Sequence, residues 1–272
     1  MNIKTGSVPV KNAIIFYKIY GESRPILLMI TGGTGDADSY ESIIPDFIDH
    51  YTIVTYDRRG YTRSPIDHIS DHETIDIETQ SEDVSALIRS ITHQPVVVFG
   101  SSLGAVIAID LVMRFPDLVS KVVAHEPPLV GLIPEEEKKG KEPQIIENEH
   151  PFETIRRFTA SFGMVPTELT GQSGKPVTEE SRKRKTANAK FFLEHESDGV
   201  NKYMPDPVKL KAIVPKTVFM AGKESKGNFL YAIAMKTASE YGIPFFEMPG
   251  HHVGYAQYPK AFSKELINIL KG

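Results

Sequence analysis

Short, continuously apolar runs alternate with longer stretches of helical periodicity along most of this chain. Residues 13–20, 26–30, 51–56, 96–99, 121–126, 217–222 and 243–248 read as strands. Residues 73–91, 102–115, 226–241 and 256–270 carry apolar positions at the spacing of amphipathic helices. Strands without polar alternation are buried on both faces. With helices between them they predict an α/β fold, a mostly parallel central sheet with helices on both sides. No internal repeat is present.

Residues 127–208 break this rhythm. They hold the charge run Glu135-Glu136-Glu137-Lys138-Lys139, the basic cluster Arg182-Lys183-Arg184-Lys185 and amphipathic pieces such as 152–162, and they close on Pro205-Asp206-Pro207. The pattern predicts a core of residues 1–126 and 209–272 and a helical cap insertion, 127–208, lying over the sheet. Both charge runs are expected to be solvated helix faces. Phe152, Phe158, Phe162, Phe191 and Phe192 either line an apolar pocket or form the core that attaches the insertion.

Composition narrows the chemistry. The 272 residues carry a formal net charge of −4 and a pI near 6.2, which argues against nucleic acid as a partner. The chain has no cysteine, which excludes disulfides, thiolate metal sites and a cysteine nucleophile. No apolar run approaches the ~18 residues of a membrane span, and Met1–Gly6 lacks the apolar core of a signal peptide. The nine histidines show no metal-ligand spacing. The expectation is a cytoplasmic protein with no metal, no cofactor, no nucleic-acid or membrane partner and a small-molecule substrate. A homo-oligomer is compatible with all of this.

The most informative run is Pro95-Val-Val-Val-Phe-Gly-Ser-Ser-Leu-Gly-Ala105, where Gly100-x-Ser102-x-Gly104 joins a predicted strand to a predicted helix. The two glycines permit a sharp turn that lifts the Ser102 hydroxyl out at a helix N-terminus. Amide N–H groups and the helix dipole favour developing negative charge there. A serine needs a base to take its proton, and an imidazole near neutral pKa suits that task. The glycine-rich Thr31-Gly32-Gly33-Thr34-Gly35 lacks the Gly-Lys-[Ser/Thr] ending of a phosphate-binding loop.

Four landmarks in order resemble the α/β-hydrolase superfamily over nearly the whole chain. Thr31–Gly35 stands where the family has its His-Gly-Gly-type oxyanion loop, with Thr31 in place of histidine. Asp57-Arg58-Arg59-Gly60-Tyr61-Thr62-Arg63-Ser64 resembles its Asp-x-Arg-Gly-x-Gly-x-Ser loop, with Thr62 in place of the second glycine. Gly100–Gly104 is the nucleophile elbow, and His252, ahead of Pro259 and the last helix, matches the family histidine.

The resemblance implies a cofactor-independent serine hydrolase acting through a catalytic triad. Ser102 is the nucleophile, His252 (rather than the adjacent His251) is base and then acid, and the amides of Gly33 and Leu103 form the oxyanion hole. Two carboxylates compete to orient His252. Glu126 ends the strand after the nucleophile helix, where haloalkane dehalogenases carry their acid. Glu224 follows the 217–222 strand, offset by one residue from the more usual acid position, which Ser225 occupies here. Glu126 is preferred, because an acid bracketed by apolar residues and Pro127-Pro128 calls for a buried partner. Serine at the nucleophile position argues against dehalogenase and epoxide-hydrolase chemistry. The expected activity is esterase-like cleavage of a small ester, amide or related acyl substrate. Alternatives are a perhydrolase or carbon–carbon bond hydrolase using the same triad, or a non-catalytic small-molecule receptor on the same fold. Asp57 to Gly60 is expected to lock neighbouring loops through carboxylate–guanidinium hydrogen bonds.

Overall fold

The computed structural model describes residues 2–22, 25–70, 73–134, 136, 149–161 and 178–272. Eight strands form one sheet: β1 (Ile3–Val10), β2 (Ala13–Tyr20), β3 (Ile26–Ile30), β4 (Thr52–Tyr56), β5 (Val96–Ser101), β6 (Val119–His125), β7 (Thr217–Gly222) and β8 (Phe245–Met248). Their spatial order is β1-β2-β4-β3-β5-β6-β7-β8. The β1–β2 and β2–β4 pairs are antiparallel, and every later pair is parallel. Seven strands, all but β2, therefore run in one direction, and the loops leaving β3, β5, β6, β7 and β8 gather on one side of the sheet.

The continuous apolar strands feed two cores because successive side chains point to opposite faces. Leu28, Ile30, Val96, Val98, Val122 and Ala124 pack with the helices α2 (Ile77–Ile91) and α3 (Leu103–Arg114). Leu27, Met29, Phe99 and Val123 pack with the short α1 (Ile44–Phe47) and with the C-terminal helix. Asp76 caps α2 by accepting from Thr79 N at 2.7 Å, so that helix begins at Ile77 and not at residue 73.

Between β6 and β7 the described residues carry a 3-10 turn (Val130–Leu132), α4 (Pro151–Ser161), α5 (Glu179–Phe191), α6 (Ser197–Lys202) and α7 (Pro207–Ala212). Helix α5 runs into α6 through a π turn, Phe192–Glu196. Ile155, Ala189, Phe192, Leu193, Val200, Tyr203 and Leu210 join the same core as α2 and α3. Beyond β7 come α8 (Phe229–Tyr241), α9 (Gly254–Gln257) and α10 (Pro259–Lys271).

Several expectations need amendment. Strand β1 was not expected: Gly6 and Pro9 interrupt it, and most of its side chains face solvent as it pairs along β2 at the sheet edge. The final helix is two helices, broken before Pro259, whose ring cannot continue α9. The basic cluster is only partly a solvated face. Arg184 is 24% exposed and reaches Asp36 and Asp38 in the loop after β3, which ties α5 to that loop. Of the run 135–139, only Glu136 lies among the described residues. Phe162 lies outside them.

Candidate active site

Ser102 sits at the junction of β5 and α3 with φ 57 and ψ −127, a conformation that side-chain-bearing residues adopt at a cost. Its N–H donates to His125 O at 2.8 Å, while Ala105 N donates back to Ser102 O at 2.9 Å. The tightness of this turn explains its glycines. A Cβ at Gly104 would fall 2.2 Å from Ile30 O, so only glycine lets α3 start this close to β3.

Glu126 repeats the device one strand over. It follows β6 with φ 46, and its N–H donates to Met220 O at 2.9 Å. Its side chain is buried. One carboxylate oxygen accepts from Gly222 N at 2.9 Å, and the other lies 2.6 Å from His252 Nδ1. His252 stands in the loop between β8 and α9 and is 7% exposed. That loop can approach β7 because Gly222 has no side chain; a Cβ there would meet Gly250 O at 2.2 Å. Gly222 thus serves twice, as a donor to the acid and as the gap that admits the histidine loop.

Burial pushes the Glu126 carboxyl up, but the hydrogen bond from His252 and the charge of its imidazolium form, the largest of the opposing causes, outweigh it. They hold the group down to about 2. With Nδ1–H donated to this anion, His252 presents Nε2 as the basic nitrogen. Beneath it lies His125, fully buried, its ring 6.1 Å from that of His252 and nearly parallel to it. Burial drives His125 down to about 4, so it stays neutral, with Nδ1 3.0 Å from Ser101 Oγ.

Glu224 lies elsewhere. Its carboxylate is 3.1 Å from His251 Nε2, and its side chain is 43% exposed. The two histidines have therefore divided the two acids between them, Glu126 with His252 and Glu224 with His251.

The glycine-rich loop after β3 runs beside Ser102. A Cβ at Gly32 would stand 3.0 Å from Ser102 Cβ and 3.6 Å from its Oγ. On its far side the loop is held by the buried Arg58. That guanidinium donates to Thr31 O at 2.8 Å, Gly32 O at 2.8 Å and Gly33 O at 3.0 Å. The other partner of Arg58 is Glu196, the last residue of the π turn, at 3.2 and 3.3 Å. Tyr61 stacks its ring under Arg58, 4.2 Å from centroid to Cζ. The Tyr61 hydroxyl lies between Gly33 O, at 2.5 Å, and the Glu196 carboxylate. Phe192 covers Gly33, where a Cβ would come within 2.9 Å of its ring. Phe191 packs edge-on against Tyr61.

The Asp57-Arg58-Arg59-Gly60 expectation gains detail here, because each cation takes a different acid. Asp57 binds Arg63 at 2.7 and 2.9 Å, and Arg59 binds Asp83 at 2.5 and 2.6 Å. The partner of Arg58 was not foreseen. The extra residue of a π turn rotates the helix face by about 100°. Asn188, Ala189, Phe192, Leu193 and Glu196 are all buried; Glu196 keeps the i+3 and i+4 spacing from Leu193 and Phe192, and it is His195 that the turn adds to the buried face. An acid four residues after Phe192 and three after Leu193, at an apolar position of the helical repeat, is the signal that could have found it.

A family model of the alpha/beta hydrolase fold matches residues 25–170. The uncharacterized hydrolase YraK of Bacillus subtilis (strain 168) is 36% identical over 277 residues, which is 100% of this chain and 97% of that protein. Among solved structures, the naproxen esterase (carboxylesterase NP) of Bacillus subtilis matches at a TM-score of 0.73 and 14% identity, over 99% of this chain and 92% of its own. A hydrolase from Pseudomonas aeruginosa PA01 matches at a TM-score of 0.72 and 17% identity, over 98% of each chain. The chain belongs to the α/β-hydrolase family, and it is a hydrolase. No helix among the described residues is long and apolar enough to cross a membrane.

Proposed function

We propose that this hydrolase cleaves a small ester or related acyl substrate through Ser102, His252 and Glu126. The observation that carries this reading is the buried 2.6 Å contact between Glu126 and His252. It lies on the side of the sheet where the strained Ser102 leaves β5. In this reading His252 Nε2 takes the Ser102 proton as Oγ attacks the acyl carbon. The resulting tetrahedral oxyanion is held by the amides of Gly33 and Leu103. His252 then returns the proton to the leaving alcohol, and a water, activated by the same imidazole, attacks the acyl-enzyme and releases the acid. Glu126 stays ionised throughout and stabilises the imidazolium. Glu224 has no part, since His251 engages it. Residues 127–208 act as the cap, with Phe192 beside Gly33 giving the acyl group an apolar wall. The naproxen esterase likeness in fold agrees with an ester as the bond attacked.

The test is covalent labelling with a fluorophosphonate probe, read by intact mass, in wild type and Ser102→Ala. One adduct in wild type and none in the variant is the expected result, together with turnover of a short-chain aryl ester. A folded wild type that neither labels nor turns over such an ester would overturn the reading.

A further inference from the structure

Five N–H bonds radiate from the Arg58 guanidinium, and all five have acceptors. Nη1 serves Thr31 O and Gly32 O, both at 2.8 Å. Nη2 serves Gly33 O at 3.0 Å and one Glu196 oxygen at 3.2 Å, and Nε serves the other Glu196 oxygen at 3.3 Å. Glu196 thus takes one edge of the planar fork and sets the plane in which the remaining donors lie. Three consecutive carbonyls then turn toward a single cation.

A trans peptide points its N–H opposite its C=O, and no peptide bond among the described residues is cis. The Gly33 N–H belongs to the peptide whose oxygen is held by Arg58, so it is aimed away from the guanidinium. Tyr61 reinforces the set through Gly33 O and the Glu196 carboxylate. The loop lies between this cluster on one side and Ser102 on the other.

We propose that Glu196 is a positioning residue for the hydrolytic reaction: through Arg58 and Tyr61 it orients the Gly33 amide toward the oxyanion. This rests on the reading of Ser102 as the nucleophile. It makes the π turn the element through which the segment between β6 and β7 acts on the oxyanion loop, placing Phe192 over Gly33 and Glu196 at the edge of Arg58. Glu196 itself touches neither substrate nor reacting atoms.

The variant Glu196→Gln keeps the shape and removes the charge. With p-nitrophenyl acetate, kcat is expected to fall by about 100-fold, the size of losing one oxyanion donor, while KM stays within about threefold. The shape of the pH profile of kcat/KM should not change. Affinity for a trifluoromethyl ketone, which forms an oxyanion on Ser102, should fall in parallel with kcat. A merely structural role predicts a lower Tm with kcat of the folded enzyme within about threefold of wild type, and that result would overturn the proposal. If Glu196→Gln does not fold, Tyr61→Phe carries the same comparison, since it removes one hydroxyl and keeps the ring under Arg58. An expected loss of about tenfold in kcat stands against a change under twofold, which would sink the idea. If the ester is not turned over, the rate of fluorophosphonate labelling at Ser102 replaces kcat. Ser102→Ala is run first: activity or labelling that persists there brings down the nucleophile reading, which is a different result from normal turnover in Glu196→Gln.

Discussion

At the scale of single residues, two non-glycine positions carry left-handed backbone at the ends of adjacent strands, Ser102 at φ 57 and Glu126 at φ 46. Such conformations cost on the order of 1–3 kcal/mol each. They persist because the amide of each is tied to the neighbouring strand, Ser102 to His125 O and Glu126 to Met220 O. The return is direction, since each side chain leaves its strand end toward the same side of the sheet. The two acids provide a clean comparison. Glu126→Gln removes the buried anion that holds His252, and kcat/KM for an aryl ester should drop by at least about 100-fold. Glu224→Gln alters only the partly exposed pair with His251, and kcat/KM should stay within about threefold. Equal losses in the two purified variants would remove the basis for choosing Glu126. Ser102 was readable in the sequence because its flanking glycines are required by close backbone approach, a local demand that leaves a local mark. His125 and Glu196 left no such mark, because their roles come from what lies across the fold from them.

Helices and strands are joined here by a few buried polar contacts as well as by apolar packing. Asp110 on α3 illustrates this: one of its oxygens accepts from the Tyr203 hydroxyl at 2.9 Å, and the other accepts from Ser81 of α2. Burial pushes the Asp110 carboxyl up, and the hydrogen bonds from Ser81 and Tyr203 work against that. Tyr203 follows α6, so this one carboxylate connects two core helices to the end of the 127–208 segment. Tyr203→Phe keeps the ring and leaves Asp110 short of a donor. The expected cost is about 2 kcal/mol, typical of a buried hydrogen bond to a charged group. Urea unfolding should show a lower midpoint with an unchanged slope, and an unchanged midpoint would mean that Asp110 is satisfied another way. Elements whose apolar rhythm is uninterrupted, such as α3 and β3 to β7, could be read from the chain. An edge element could not: β1 exposes too much of itself to show a buried pattern.

For the molecule as a whole, the buried groups beneath the site set an acid limit on stability. His125 is held from its ordinary 6.5 down to about 4 by burial. Below pH 6.5 the unfolded chain therefore binds a proton that the folded one refuses. Stability falls as pH drops from about 6.5 toward 4 and levels off beyond. Glu126, lowered from 4.5 to about 2 chiefly by His252 against the pull of burial, contributes stability that is complete above about 4.5. That contribution is lost as pH falls toward 2. The two windows follow one another, so the urea midpoint should decline in two stages from pH 7.5 downward. His125→Gln should flatten the first stage and leave the second. A variant that declines as steeply as wild type between pH 6.5 and 4.5 would show that His125 is not the group responsible.

The order of apolar runs determined the sheet-and-helix class, and the glycine spacing determined the strand-to-helix turn that presents Ser102. Both follow from short-range sterics and periodicity, which any reader of the chain can apply. The choice between Glu126 and Glu224 was different: both follow strands and both stand near a histidine in the fold. Only the parallel packing of β6, β7 and β8, with Gly222 admitting the histidine loop, sets one acid against His252 and the other against His251. The grip of Arg58 on the loop beside Ser102 likewise depends on Glu196, 138 residues away in the chain. Contacts of that range are decided by tertiary packing, because local sequence fixes which face a residue occupies but not which distant face will meet it.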